Sequence, residues 1–147
     1  MHHKEEVTIL LVEDDPGHAR LIEKNLRRGN ITNPVIALSD GQEAVDYLFS
    51  QGQYAENKTA SPLLVLLDLN LPVLDGYQVL QRMKGNERTK RIPVVILTTT
   101  YDSHEVVKCY ELGCNVYITK PVEYAQFSEA IRKLGLFLSV MTVPERD

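Results

Sequence analysis

The sequence is poor in cysteine, in clustered basic residues and in long apolar runs, and each shortage removes a class of protein. Cys109 and Cys114 are the two cysteines. Their spacing is neither C-x-x-C nor part of a Cys/His zinc pattern, so a disulfide framework and a structural zinc site are both unexpected. A reduced, cytoplasmic setting follows from that usage. No stretch approaches the ~20 apolar residues that span a bilayer. The opening Met-His-His-Lys-Glu-Glu has no signal-peptide apolar region, and residues 1–6 read as a disordered tail. The formal net charge of −4 comes without a basic run, which argues against nucleic acid as a partner. The first apolar segment is followed by neither G-x-G-x-x-G nor Walker A spacing, which argues against a nucleotide-binding turn.

What is present fits one soluble domain. At 147 residues, 44% hydrophobic and 24% charged, the chain can bury a single core without staples. Five short apolar runs read as strands: Val7–Val12, Val35–Leu38, Leu63–Leu67, Val94–Leu97 and Val116–Thr119. The first, third and fourth are apolar almost throughout, as parallel strands covered on both faces must be. Helical periodicity fills the gaps. Leu21, Ile22, Asn25 and Leu26 share one side, as do Ala44, Val45, Leu48 and Phe49. Val79, Leu80 and Met83 mark a third helix, and Val106, Val107 and Tyr110 a fourth. Phe127, Ala130, Ile131, Leu134 and Leu138 mark a fifth.

Asp15-Pro16 supplies a cap and a prolyl first position, while Asp40…Glu43 and Asp102…Glu105 have capping-box spacing. Residues 50–61 are polar and aperiodic and read as a surface loop. Five β–α units in series predict an α/β fold: a doubly wound five-stranded parallel sheet with helices on both faces. The expected strand order is 2-1-3-4-5, although spacing alone does not determine it.

In such sheets ligands bind beyond the carboxyl ends of the strands. Strand one ends in Glu13-Asp14-Asp15, strand three in Asp68-Leu-Asn70, strand four in Thr98-Thr99-Thr100 and strand five in Lys120-Pro121. Crowded carboxylates repel unless a cation joins them. Mg²⁺ suits a few carboxylates, a carbonyl and retained waters. Glu13, Asp14, Asp68 and the main-chain carbonyl of Asn70 could supply such a site. Lys120 would add a point charge on the far side of a phosphoryl group, and Thr98 a hydrogen bond to it. An Asp nucleophile would give an acyl phosphate.

Taken singly, each residue has a plainer role. Asp15 reads as a helix cap, Lys-Pro as a turn, and the exposed-looking His18 and His104 as surface residues. The convergence at four strand ends carries the argument.

The motifs LLVEDDP (10–16), LLDLNLPVLDGYQVL (66–80), IPVVILTTT (92–100) and GCNVYITKP (113–121) resemble the receiver domain of bacterial response regulators over residues 7–138. The resemblance implies a flavodoxin-like, CheY-like fold and a phosphorelay switch rather than an enzyme. It implies Asp68 as phosphoacceptor and Glu13 and Asp14 as the acidic pair, with Asn70 lending its carbonyl to Mg²⁺. It further implies Lys120 as phosphoryl-binding lysine, Thr98 and Tyr117 as the pair that rearranges on activation, and a cis bond to Pro121. Glu13 stands where Asp is common, and Thr99 is bulkier than the small residue usual there. Asn70, Thr99 and Thr100 flank the path of attacking water and bear on phosphoryl lifetime.

The loop at 51–61, the LDLNLP phrase, the TTT run and the apolar C-terminal segment look like the stand-alone regulators that serve cyanobacterial phytochrome histidine kinases. That likeness implies a sensor histidine kinase as partner, with light sensing left to the kinase, and neither nucleic acid nor membrane as a partner. Residues 7–139 form the expected receiver, 140–147 a tail, and output is expected through surface recognition. Residues 134–143 are apolar on more than one side, which suggests a homodimer contact over the fourth strand to fifth helix face, with Tyr110 and Tyr117 as candidates. A phosphohydrolase would want an acid two places after the nucleophile, where Asn70 stands. A phosphorylation-independent docking module would have no use for the full set of polar strand ends.

Overall fold

The computed structural model describes residues 7–56, 62–99, 102–120 and 129. Strands and helices alternate along the chain: β1 (Thr8–Val12), α1 (Pro16–Arg28), β2 (Val35–Leu38), α2 (Gly41–Phe49), β3 (Leu63–Leu67), α3 (Gly76–Lys84), β4 (Val94–Thr98), α4 (Ser103–Leu112) and β5 (Val116–Thr119). All neighbouring strands pair in parallel, in the order β2-β1-β3-β4-β5, so the expected topology is borne out. The fifth helix of the sequence reading, the cis bond to Pro121, Thr100 and the apolar segment 134–143 lie outside the described residues.

The sheet's alternation sorts its residues into two cores. Leu10, Val12, Val65, Leu67, Val94 and Ile96 face α2, α3 and α4, where Ala44, Val45, Leu48, Val79, Leu80, Met83 and Cys109 meet them. Ile9, Leu11, Leu64, Leu66, Val95, Leu97 and Ile118 face the other way, onto Ile22 and Leu26 of α1. Leu66 and Leu67 are both wholly buried. Because successive side chains serve opposite cores, β3 cannot be amphipathic, and its unbroken LLVLL is the direct consequence. Each such side chain contributes roughly 1.5–3 kcal/mol by leaving water.

Helix phase departs from expectation at three residues. Leu21 of α1 and Val107 and Tyr110 of α4 are exposed, while Asn25 and Cys109 are buried. In α4 the apolar stripe runs through Cys109, which turns Val107 and Tyr110 outward.

Caps differ in detail too. Asp40 accepts from the Glu43 N–H, but Glu43 reaches past Asp40 to the Ser39 N–H (3.0 Å). Asp102 accepts from the His104 N–H rather than from residue 105. The complete capping box belongs to α3, with Asp75 and Gln78 bonded reciprocally. Residues 52–54 form a single 3-10 turn in the loop after α2. Tyr54 there donates to Glu43 (2.9 Å) and meets the Tyr47 ring edge-on, at 5.2 Å between centroids.

The β3–α3 connection is tightly drawn. The Leu74 N–H donates to the Pro72 carbonyl (2.9 Å), closing a three-residue turn around Val73 at φ 71. A β-branched residue there stores backbone strain. The turn is clamped from both sides. A Cβ on Gly41 would lie 1.8 Å from the Leu74 carbonyl oxygen, and one on Gly76 2.4 Å from the carbonyl oxygen of Asp68. Both glycines therefore permit close backbone approach, and the second sets the backbone of Asp68 itself.

Candidate functional site

The polar residues that end the strands are held in place by the sheet's own hydrogen bonds. The Glu13 N–H donates to the Leu38 carbonyl (3.0 Å), the Asp68 N–H to the Val12 carbonyl (3.0 Å) and the Lys120 N–H to the Thr98 carbonyl (2.6 Å). The ladder thus runs one residue past each strand, and side chains from β1, β3 and β5 converge at one edge. One carboxylate oxygen from each of Glu13, Asp14 and Asp68 lies within 4.8 Å of the others. Glu13 and Asp68 are buried, at 5% and 6% exposure, whereas Asp14 is exposed.

Lys120, 7% exposed, answers part of that charge. Its ammonium donates to Asp68 Oδ2 at 3.1 Å and also to Glu13 Oε1. The other oxygen of each carboxylate takes a backbone donor. Asp68 Oδ1 accepts from the Asn70 N–H (3.1 Å), and Glu13 Oε2 from the Asp15 N–H (3.0 Å). Burial pushes the Glu13 carboxyl above its ordinary range, with the charge of Asp68 adding to the shift; the Lys120 and Asp15 hydrogen bonds act in the opposite sense. Three carboxylates against one ammonium leave a surplus of two negative charges. A hard divalent cation supplies that amount, and an all-oxygen donor set of two buried carboxylates and one solvent-facing one suits it.

Thr98 is wholly buried, and its hydroxyl finds no hydrogen-bond partner among the described residues. Tyr117 packs partly buried against the α2–α4 core, and burial pushes its phenol up to about 12. Asn70 and Thr99 are exposed at the rim. Asp15 caps α1, its carboxylate accepting from the Gly17 and His18 N–H groups at 2.8 and 3.0 Å. His104 is exposed on α4.

His18, read from sequence as a surface residue, is exposed on α1, and it also places Nδ1 3.4 Å from Lys120 Nζ. Sequence reasoning also passed over Gly41 and Gly76. The phrase Leu-Asp-Gly at 74–76, close after Asp68, was the available signal for the second.

A family model, the response regulator receiver domain, matches residues 9–132. The chain belongs to that family. This receiver is 42% identical over 137 residues to response regulator Rcp1 of Synechocystis, covering 92% of both chains. A crystal structure of the Mn²⁺-bound form of Rcp1 superposes with a TM-score of 0.74 at 40% identity, over 89% of this chain and 93% of that one. A receiver domain from Rhodospirillum rubrum is 55% identical with a TM-score of 0.77, covering 96% of this chain and 99% of its own. The phosphorylated cyanobacterial phytochrome response regulator RcpA is 35% identical with a TM-score of 0.78, over 96% and 99% of the two chains.

The receiver is therefore a response regulator of two-component signalling, a signalling switch and not an enzyme, similar to phytochrome response regulators. Its acidic edge gathers three carboxylates that could hold a divalent metal. No helix among the described residues is long and apolar enough to cross a membrane.

Proposed function

We propose that Asp68 accepts a phosphoryl group from a sensor histidine kinase, with Mg²⁺ held by Glu13, Asp14, Asp68 and the Asn70 carbonyl. The kinase is a phytochrome, by analogy with the relatives named above. One observation carries the reading: a buried Asp68 carboxylate shares its ammonium partner with Glu13 and faces a second acidic side chain, Asp14.

In the transfer, an Asp68 oxygen attacks phosphorus, an O–P bond forms, the histidine N–P bond breaks, and the kinase's own imidazole departs from phosphorus, taking up a proton to become a neutral ring. A bound divalent cation supplies charge neutralisation at the phosphoryl oxygens. Phosphorylation removes the negative charge that Lys120 holds on the Asp68 carboxylate, so the ammonium turns to the charged phosphoryl oxygens. The Thr98 hydroxyl, buried and unpartnered among the described residues, donates to another of them, and Tyr117 moves into the space it vacates. Asn70, Thr99 and Thr100 govern how long the acyl phosphate lasts by controlling access of water.

Residues 7–139 make up the receiver unit. Its output is a face from β4 to the C-terminal segment. Val107 and Tyr110, exposed on α4, support that face as a homodimer contact.

Incubation with acetyl phosphate and Mg²⁺, followed by mass mapping, is expected to place one acid-labile phosphoryl on Asp68, and none on Asp68→Asn. Label on Asp68→Asn at the wild-type level would overturn the assignment.

A further inference from the structure

His18 touches the site, yet no step above uses it. Its position follows from the cap of α1. Asp15 takes the N–H groups of Gly17 and His18, which holds the first helical turn against the end of β1. The imidazole then overhangs the carboxyl edge of the sheet. Its Nδ1 lies 3.4 Å from Lys120 Nζ and 3.9 Å from both Glu13 Oε2 and Asp15 Oδ2.

An ammonium carries three N–H donors. Among the described residues Lys120 donates to Glu13 Oε1 and Asp68 Oδ2 and lies against His18 Nδ1, which accepts in the tautomer that carries its proton on Nε2. The set matches the donor count, so the flexible lysine stem is held from three directions rather than two.

Two of these acceptors are reassigned when the site works. The Asp68 carboxylate loses its charge on phosphorylation, and Glu13 faces the cation. An imidazole is claimed by neither event. We propose that His18 is a positioning residue for phosphoryl capture: the ring, through the tautomer that leaves Nδ1 as acceptor, receives a hydrogen bond from Lys120 and keeps the ammonium at the mouth of the site while its carboxylate partners change. This rests on Asp68 as phosphoacceptor and Lys120 as phosphoryl-binding lysine. The side chain of His18 is 49% exposed, so water competes for the same donor and the effect is several-fold rather than orders of magnitude.

Beryllofluoride, a phosphoryl mimic, tests this when titrated with saturating Mg²⁺ into wild type, His18→Ala, His18→Leu and His18→Asn. The Asn amide oxygen stands where Nδ1 does and accepts equally well. The Ala and Leu variants are expected to raise the beryllofluoride Kd about five-fold, while the Asn variant stays within about two-fold of wild type. The Kd for Mg²⁺ alone is expected to hold in every variant. With acetyl phosphate, KM rises in His18→Ala and kcat changes little. The Lys120 ammonium cross-peak in ¹H–¹⁵N spectra, visible while its protons are held, is expected in wild type and His18→Asn and lost in His18→Ala.

Wild-type affinity in His18→Ala, or an Asn variant as weak as the Ala variant, would overturn the proposal. So would a fall in Mg²⁺ affinity matching the fall for beryllofluoride, because His18 would then act through the carboxylates. A wild-type protein that binds no beryllofluoride overturns the Asp68 assignment as well, a failure distinct from equal binding by wild type and His18→Ala.

Discussion

At the scale of single residues, the site sits slightly off its own stability optimum. The Thr98 hydroxyl lies wholly buried with no partner among the described residues, which costs about 1–3 kcal/mol relative to a group of the same shape without the polar atom. Valine has nearly that shape. Thr98→Val is therefore expected to raise unfolding free energy by about 1 kcal/mol in urea titrations, with an unchanged slope. The same variant should lose the change in Tyr117 fluorescence or NMR shift that beryllofluoride produces in wild type, since the donor that draws Thr98 inward is gone. A destabilisation of Thr98→Val by 1 kcal/mol or more would mean that the hydroxyl is satisfied and not held in reserve.

At the scale of elements, the thiols show how local packing sets a global response. Cys109 lies on α4 and Cys114 just before β5, both buried in the larger core, and burial pushes them up to about 11 and about 12 from 9.0. Between pH 9 and those values the unfolded chain has released thiol protons that the folded chain retains. Their contribution is complete below pH 9 and is lost as pH rises through the folded values. Stability measured by urea denaturation should thus fall from pH 9 to 11, and fall less steeply in Cys109→Ala when each curve is compared with its own value at pH 8. Parallel curves for the two proteins would contradict this.

The same elements mark what the sequence makes legible. Strands buried on both faces announce themselves as unbroken apolar runs, and the polar residues that end them stand out by contrast, which is why Glu13, Asp14, Asp68, Thr98 and Lys120 could be picked out along with the fold. Helix phase is weaker information. A stripe read through Val107 and Tyr110 fits the 3.6 period about as well as one through Cys109, and only packing against β4 and β5 decides. Close approaches are weaker still. Nothing local in Gly41 says that the Leu74 carbonyl will press on it, and nothing in His18 says that a lysine 102 positions away will meet its ring. Such contacts depend on how crossovers bring strand ends together, which spacing along the chain does not encode.

For the molecule as a whole, the acidic edge links stability to cation concentration. Without a cation, Asp14 adds repulsion to Glu13 and Asp68, whose charges Lys120 only partly offsets. With one, the folded state gains binding energy that the unfolded chain lacks. The gain is about 1.4 kcal/mol when Mg²⁺ exceeds its Kd ten-fold, which moves Tm by about 4 °C in a chain of this size. Neutralising Asp14 should reverse the order of the two states. Asp14→Asn relieves the repulsion, so in EDTA its Tm is expected to lie above that of wild type, by about 1–3 °C. It also removes a ligand, so Mg²⁺ should raise its Tm little, and at saturating Mg²⁺ wild type should be the more stable protein. Differential scanning at fixed ionic strength, with Ca²⁺-free buffers and a choline chloride control, separates specific binding from general screening. An Asp14→Asn variant less stable than wild type in EDTA, or one that gains as much from Mg²⁺, would show that the three carboxylates do not repel one another in the folded chain. The charge surplus at this edge would then be no argument for a divalent cation.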